Sequence, residues 1–183
     1  MDETNPWKTI SSAVAYDNPW ITVTENKVIQ PDGTPGTYGV VHFKNRAIGI
    51  LAVDDDEHVW LVGQFRYPLN QYSWEIPEGG CPVGEEILDA AKRELLEETG
   101  LTASSWKLLG SSHLSNSVSD ELSFYFMATG LQQGAACPEP TEELVVKRVA
   151  FEEALDMVLR GEITDSLSVL AIMHYALISA GQI

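Results

Sequence analysis

Basic residues are scarce in this chain: 11 Lys and Arg stand against 27 Asp and Glu, a formal net charge of -16. A protein that holds nucleic acid by neutralising phosphates needs clustered cations. No such cluster occurs, and the long-range field repels polyanions, which speaks against nucleic-acid partners and against a role in RNA decapping. A small phosphorylated substrate remains compatible, provided that cations bridge it to the protein. Cysteine is equally rare. Cys81 and Cys137 lie far apart, with neither the density of a disulfide scaffold nor the spacing of a metal site. No apolar run approaches membrane-spanning length. The opening MDETNPWKTI is polar and acidic, unlike a signal peptide. Repeats and low-complexity tracts are missing as well. These absences predict a cytoplasmic globular protein with no membrane association.

Short strands dominate what is present. Ile21 to Gln30 is rich in β-branched residues and ends at Pro31-Asp32-Gly33, with Thr37 to Phe43 as its hairpin partner. Ala47 to Val53, His58 to Phe65, Ser73 to Ile76, Trp106 to Leu114, Leu122 to Ala128 and Leu144 to Ala150 read as further strands. The strongest helix lies between Gly84 and Thr99. Gly100 stands where a left-handed cap is wanted and Leu101 follows as its hydrophobic contact. Phe151 to Arg160 and Ser166 to Ala180 read as two closing helices, with His174 on an apolar face as a packed histidine. Strands around a central helix predict an α/β/α sandwich on a mixed sheet, with a small N-terminal antiparallel sheet beside it.

The central helix carries Glu94, Glu97 and Glu98 on one face, because residues three and four apart are neighbours. Leu88, Ala91 and Leu95 form the adjoining core strip. Three carboxylates so close repel one another, and Arg93 is expected to relieve one at most. Two readings are open at this point: an acidic surface helix, or hard oxygen ligands for a divalent cation. The preceding Glu75-Ile76-Pro77-Glu78-Gly79-Gly80, read as a strand entering a tight glycine turn, favours the second. Glycines let backbone and ligand approach closely.

The run GGCPVGEEILDAAKRELLEETGL resembles the Nudix box. From Gly79, Glu85 follows after five residues and Arg93 after seven more, and then come Glu94, Leu95, Glu97, Glu98, Gly100 and Leu101. The frame from Gly80 fails, since it puts Glu94 where Arg is required. The resemblance implies Mg²⁺ ions, with Mn²⁺ as a substitute, held by Glu94, Glu97 and Glu98 and by the Glu78 carbonyl. It gives Arg93 and Glu85 an ion pair that holds the loop against the helix.

Gln64 to Gly80, QFRYPLNQYSWEIPEGG, is similar to the corresponding part of ADP-ribose pyrophosphatases and related nucleotide-sugar hydrolases. That resemblance implies a nucleoside diphosphate sugar as substrate, cut to a nucleoside monophosphate and a sugar phosphate. Arg66 then contacts the diphosphate near Gly79, and Trp20 and Tyr38 sandwich the base. It also implies a homodimer that exchanges the N-terminal strands, so that 1–45 serves dimerisation and base binding and 46–183 forms the hydrolase domain. The general base is expected in CPEPTEEL, with Glu143 first and Glu142 and Glu139 as alternates. One departure stands out. Asn116, in HLSNSVSDE, occupies the position of a Pro typical of ADP-ribose pyrophosphatases, which widens the expected substrates to ADP-glucose or GDP-mannose. The alternatives are a Nudix hydrolase of dinucleoside polyphosphates or oxidised nucleotides, and a Nudix-fold sensor without catalysis.

Overall fold

The computed structural model describes residues 3–134 and 143–183. Three antiparallel strands open the chain: β1 (Lys8–Asp17), β2 (Ile21–Ile29) and β3 (Pro35–Phe43), in the order β1-β2-β3. The sequence pattern predicts β2 and β3 but not β1, whose alternation of small and apolar residues is weak. In the N-terminal sheet only Val28 is buried among the described residues, and β1 is exposed along its whole length.

The body is built on β4 (Asn45–Ala52), β5 (His58–Arg66), β6 (Gln71–Glu75), β7 (Glu78–Pro82), β8 (Leu101–His113), β9 (Leu122–Gln133) and β10 (Val145–Ala150). One sheet runs β7-β4-β9-β8 and the other β10-β5-β6. The first is mixed, since β4 pairs parallel with β9 and antiparallel with β7. β8 and β9 extend well past the apolar runs that mark them in the sequence. Their long mutual register from Leu101↔Gln133 to His113↔Leu122 satisfies backbone groups where side chains give little hydrophobic signal.

Successive side chains of a strand point to opposite faces, and β4 uses both. Ile48, Ile50 and Ala52 pack with Ala90, Ala91 and Leu95 of α1 (Ile87–Thr99). Leu51 and Val53 pack with Phe151, Ala154 and Met157 of α2 (Phe151–Leu159) and Leu167, Ala171 and Ile172 of α3 (Ser166–Ser179). The result is an α/β/α sandwich. Leu95, fully buried, contributes about 2 kcal/mol by this transfer alone. His174 packs edge-on to Tyr125 at 6.1 Å between ring centroids. No helix among the described residues is long and apolar enough to cross a membrane.

Candidate active site

The acidic face of α1 is positioned from both ends. Glu86 precedes its first turn, and Gly100 ends it with φ 73° while its N–H donates to the Leu96 carbonyl at 2.9 Å. Only a residue without Cβ takes that left-handed turn at no cost. Leu101 is then buried against the core as expected.

The Gly79-Gly80 pair corrects the sequence reading. It is not a tight turn but the middle of β7, with Gly79 opposite Ile48 and Gly80 opposite Ala47. Gly79 is required for a different reason: a Cβ there would overlap the carboxylate of Glu94. Its bare backbone is the floor on which that carboxylate lies. The preceding bend is anchored by the Pro77 carbonyl, which accepts from Ile50 N at 2.8 Å.

Arg93 also does more than expected. Its guanidinium donates to Glu85 (3.2 and 3.0 Å), Glu94 (2.6 Å), Glu97 (3.1 Å) and the Gly80 carbonyl (2.8 Å). It therefore serves two of the helix carboxylates rather than one, holds Glu85 as well, and ties β7 to α1. The hydrogen bond to Glu85 is the largest cause that raises its pKa above the ordinary arginine value, and the same bond holds the Glu85 carboxyl below its usual range. Glu98 is buried, and its Oε2 accepts from the Glu78 backbone N–H at 2.9 Å.

A second cluster forms around Arg66. Arg66 donates through Nε and Nη2 to Glu75 (2.9, 3.1 and 2.5 Å) and through Nη2 to Glu78 (2.5 Å). Neither carboxylate engages Nη1. Burial works against the Arg66 charge, yet Glu75 and Glu78 outweigh it and raise its pKa. For Glu78, the sequence points to the backbone carbonyl, whereas the structure brings its side chain into the site. Its carboxyl is pushed well above the ordinary value by burial, then by Asp165 and Glu75. Its Oε2 is buried with no hydrogen-bond partner among the described residues. Glu121 is raised too, by burial and then by Asp165.

These groups line one cavity of about 540 Å³, together with Trp20, Arg46, Gln64, Gly79, Gly80 and Leu167. Trp20 reaches it from the N-terminal segment. Tyr38 does not: it lines a separate cleft of about 270 Å³, stands edge-on to Trp7 at 5.3 Å, and donates to the Ser117 carbonyl at 2.6 Å. Within one chain the two aromatics are not brought together. Asn116 is exposed in the turn beside Ser117. Glu143 is exposed ahead of β10 and is not among the cavity-lining residues. Glu139 and Glu142 lie outside the described residues, as does Cys137.

The donors suit a divalent cation. They are hard carboxylate oxygens, one lies on the glycine floor, and one buried Glu78 oxygen stands without a hydrogen-bond partner among the described residues. Among the described residues no three such side chains already converge as a ligand cage. Sequence reasoning missed Glu75, Glu121 and Asp165. The available signals were an acid after Trp74 in a strand otherwise destined for the core, and an Asp directly before an apolar helix, where a cap belongs.

Comparison with known proteins agrees with this geometry. A model described as NUDIX domain matches residues 43–167, and one described as Nucleoside diphosphate sugar hydrolase N-terminal domain matches residues 7–41. An ADP-ribose pyrophosphatase of Mycobacterium tuberculosis is 33% identical over 180 residues, covering 96% of this chain and 86% of the relative. That of Bacillus subtilis is 32% identical over 177 residues, covering 96% and 95%. A solved structure described as an ADP compounds hydrolase superposes with a TM-score of 0.84 over the whole of both chains at 19% identity, a likeness of fold. Nudix hydrolases generally work with divalent metal ions. A glycine floor under one carboxylate, an arginine serving that one and two others, and a family model that spans them place this chain in the Nudix family.

Proposed function

We propose that the chain hydrolyses the diphosphate linkage of nucleoside diphosphate sugars, ADP-ribose and at least one hexose conjugate among them, with Mg²⁺ as the physiological cation. One observation carries this reading: Arg66, the Glu78-Gly79-Gly80 strand and Trp20 line a single cavity. A cation, a metal-compatible floor and a stacking surface then lie within one nucleotide's reach. The matched N-terminal model and the full-length likeness to ADP-ribose pyrophosphatases support the substrate class.

Glu94, Glu97 and Glu98 would hold the cations, which neutralise the diphosphate and acidify a bound water. Arg66 pairs with a phosphate oxygen through the guanidinium edge that Glu75 and Glu78 leave open. Glu143 takes the proton of the attacking water, with Glu142 and Glu139 as alternates. Trp20 stacks on the base, a contact felt about equally in ground and transition states. Trp20→Ala therefore raises KM more than it lowers kcat, whereas Glu143→Gln lowers kcat with KM little changed. The test is a kinetic panel of ADP-ribose, ADP-glucose, GDP-mannose, diadenosine polyphosphates and 8-oxo-dGTP on wild type and both variants. Turnover of only the last two compounds would defeat the nucleotide-sugar reading.

The N-terminal region, 1–45, serves dimerisation and base binding in this proposal, and 46–183 the chemistry. Ile10, Val14 and Tyr16 are 65%, 64% and 56% exposed on a sheet with almost no core of its own. Trp20 and Tyr38 meet only if a second chain supplies one of them. We expect a homodimer with an obligate-sized interface, on the order of 2,000 Å² or more. Sedimentation at micromolar concentration checks it, and a monomer there would count against both the dimer and the shared base site.

A further inference from the structure

Ser168 lies in the first turn of α3 and is fully buried. Its side chain has two partners. Oγ donates to Asp165 Oδ2 at 2.8 Å and accepts from the backbone N–H of Ile76 at 2.9 Å. Asp165 Oδ2 also accepts from Ser168 N at 2.8 Å, so the cap that starts the helix also orients the hydroxyl.

Ile76 follows β6 and is tied to no other strand at that amide. It immediately follows Glu75, and Glu78 lies two residues beyond. Those two carboxylates grip Arg66. The Ile76 side chain is itself wedged beside Gly49, where a Cβ would come within 3.0 Å of its Cδ1 and within 3.3 Å of the Leu167 Cβ. Loss of the hydroxyl leaves a buried amide unpaired, and the strand must shift to reach water or another acceptor.

We infer that Ser168, held by Asp165, is a positioning residue for Arg66: its hydroxyl fixes the Ile76 amide and thereby the Glu75 and Glu78 carboxylates that aim the guanidinium into the cavity. This rests on the reading that Arg66 pairs with the substrate diphosphate. A serine that merely supported the fold would affect melting temperature and not the Arg66 contact. A positioning serine acts through Arg66, so its effect vanishes once the guanidinium fork is gone.

The experiment is a double-mutant cycle on the full-length protein with ADP-ribose and Mg²⁺, run well below the melting temperature. Arg66→Lys keeps a cation between the carboxylates but loses the fork. Ser168→Ala is expected to raise KM about tenfold with kcat within about threefold, and to change KM less than about twofold in the Arg66→Lys background. Ser168→Cys, of similar size but with a weakly accepting thiol, is expected to shift KM in the same direction and to lose that shift in the Arg66→Lys background. Should Ser168→Ala fail to fold, the cycle is run with Ser168→Cys. Independent effects of Ser168→Ala and Arg66→Lys overturn the inference. A KM change with Arg66→Lys but none with Ser168→Ala overturns the inference alone. An Arg66→Lys enzyme with normal KM removes the underlying reading of Arg66, and the inference with it.

Discussion

Glu98→Gln is expected to lower turnover by roughly a hundredfold or more, an added barrier of about 3 kcal/mol, while the protein stays folded. The two halves of that result have separate causes. Glu98 is buried, and its Oε2 accepts from the Glu78 amide. Glutamine has the same shape and retains an oxygen that accepts that bond, so β7 stays against α1. What disappears is the negative charge on a hard oxygen ligand, and with it the attraction to a divalent cation. EDTA should abolish wild-type activity, and Mg²⁺ or Mn²⁺ should restore it. Turnover assays alongside thermal melts with and without Mn²⁺ check both halves: wild type gains stability from the metal and Glu98→Gln gains less. Full turnover in metal-free buffer, by either protein, would refute the metal assignment.

Arg93→Ala is expected to reduce activity by a similar factor and to destabilise the protein as well. The side chain satisfies Glu85, Glu94, Glu97 and the Gly80 carbonyl together. Its removal leaves three carboxylates in mutual repulsion and β7 without its tie to α1. A hydrogen bond to a charged group is worth about 1.5–3 kcal/mol, and the partial exposure of this cluster puts the loss near the lower end. The pH dependence follows from Glu85, whose pKa the Arg93 hydrogen bond depresses in the folded state. A depressed carboxyl contributes stability that is complete above its unfolded value and is lost as pH falls through the folded one. The stability gap between wild type and Arg93→Ala should therefore be full at neutral pH and shrink below about pH 4. Denaturant melts between pH 3 and pH 7 measure it. A gap independent of pH would mean that Arg93 acts by packing rather than by charge.

The central helix was legible because several local signals agree there: good helix formers, an apolar strip at Leu88, Ala91 and Leu95, and Gly100 at the stop. The box residues were legible for a similar reason, as fixed types at fixed spacing within one segment. What escaped was made by long-range pairing. β7 reads as a turn because two glycines signal one locally, and only its register against β4 makes it a strand. β1 shows weak alternation because its sheet has hardly any core to alternate against. Arg93 looks like the partner of one helix acid in a linear reading, with Glu85 added by the resemblance, whereas the fold gives it Glu94 and Glu97 together and brings the Gly80 carbonyl of β7 within its reach. Asp165 and Ser168 carry the mark of a helix cap, but nothing in sequence says that the cap lies against Ile76, 92 positions away.

The parallel pairing of β4 with β9 joins Ala47 to Ser123 and Ala52 to Ala128, and this sets the order in which the molecule can form. The N-terminal sheet consists of neighbouring hairpins, which close quickly because little chain entropy is lost between them. β4 can pair with β7 early but cannot acquire its second partner until the chain has reached residue 128, and β5, paired early with β6, waits longer still for Val145 to Ala150. During synthesis the apolar residues that face α2 and α3, Leu51, Val59 and Leu61 among them, thus remain uncovered while α1 is already complete. High separation between contacting residues slows folding and prolongs exposure to aggregation. The acidic face of α1, assembled early and strongly charged, would keep such a nascent chain in solution while it waits for its last strands.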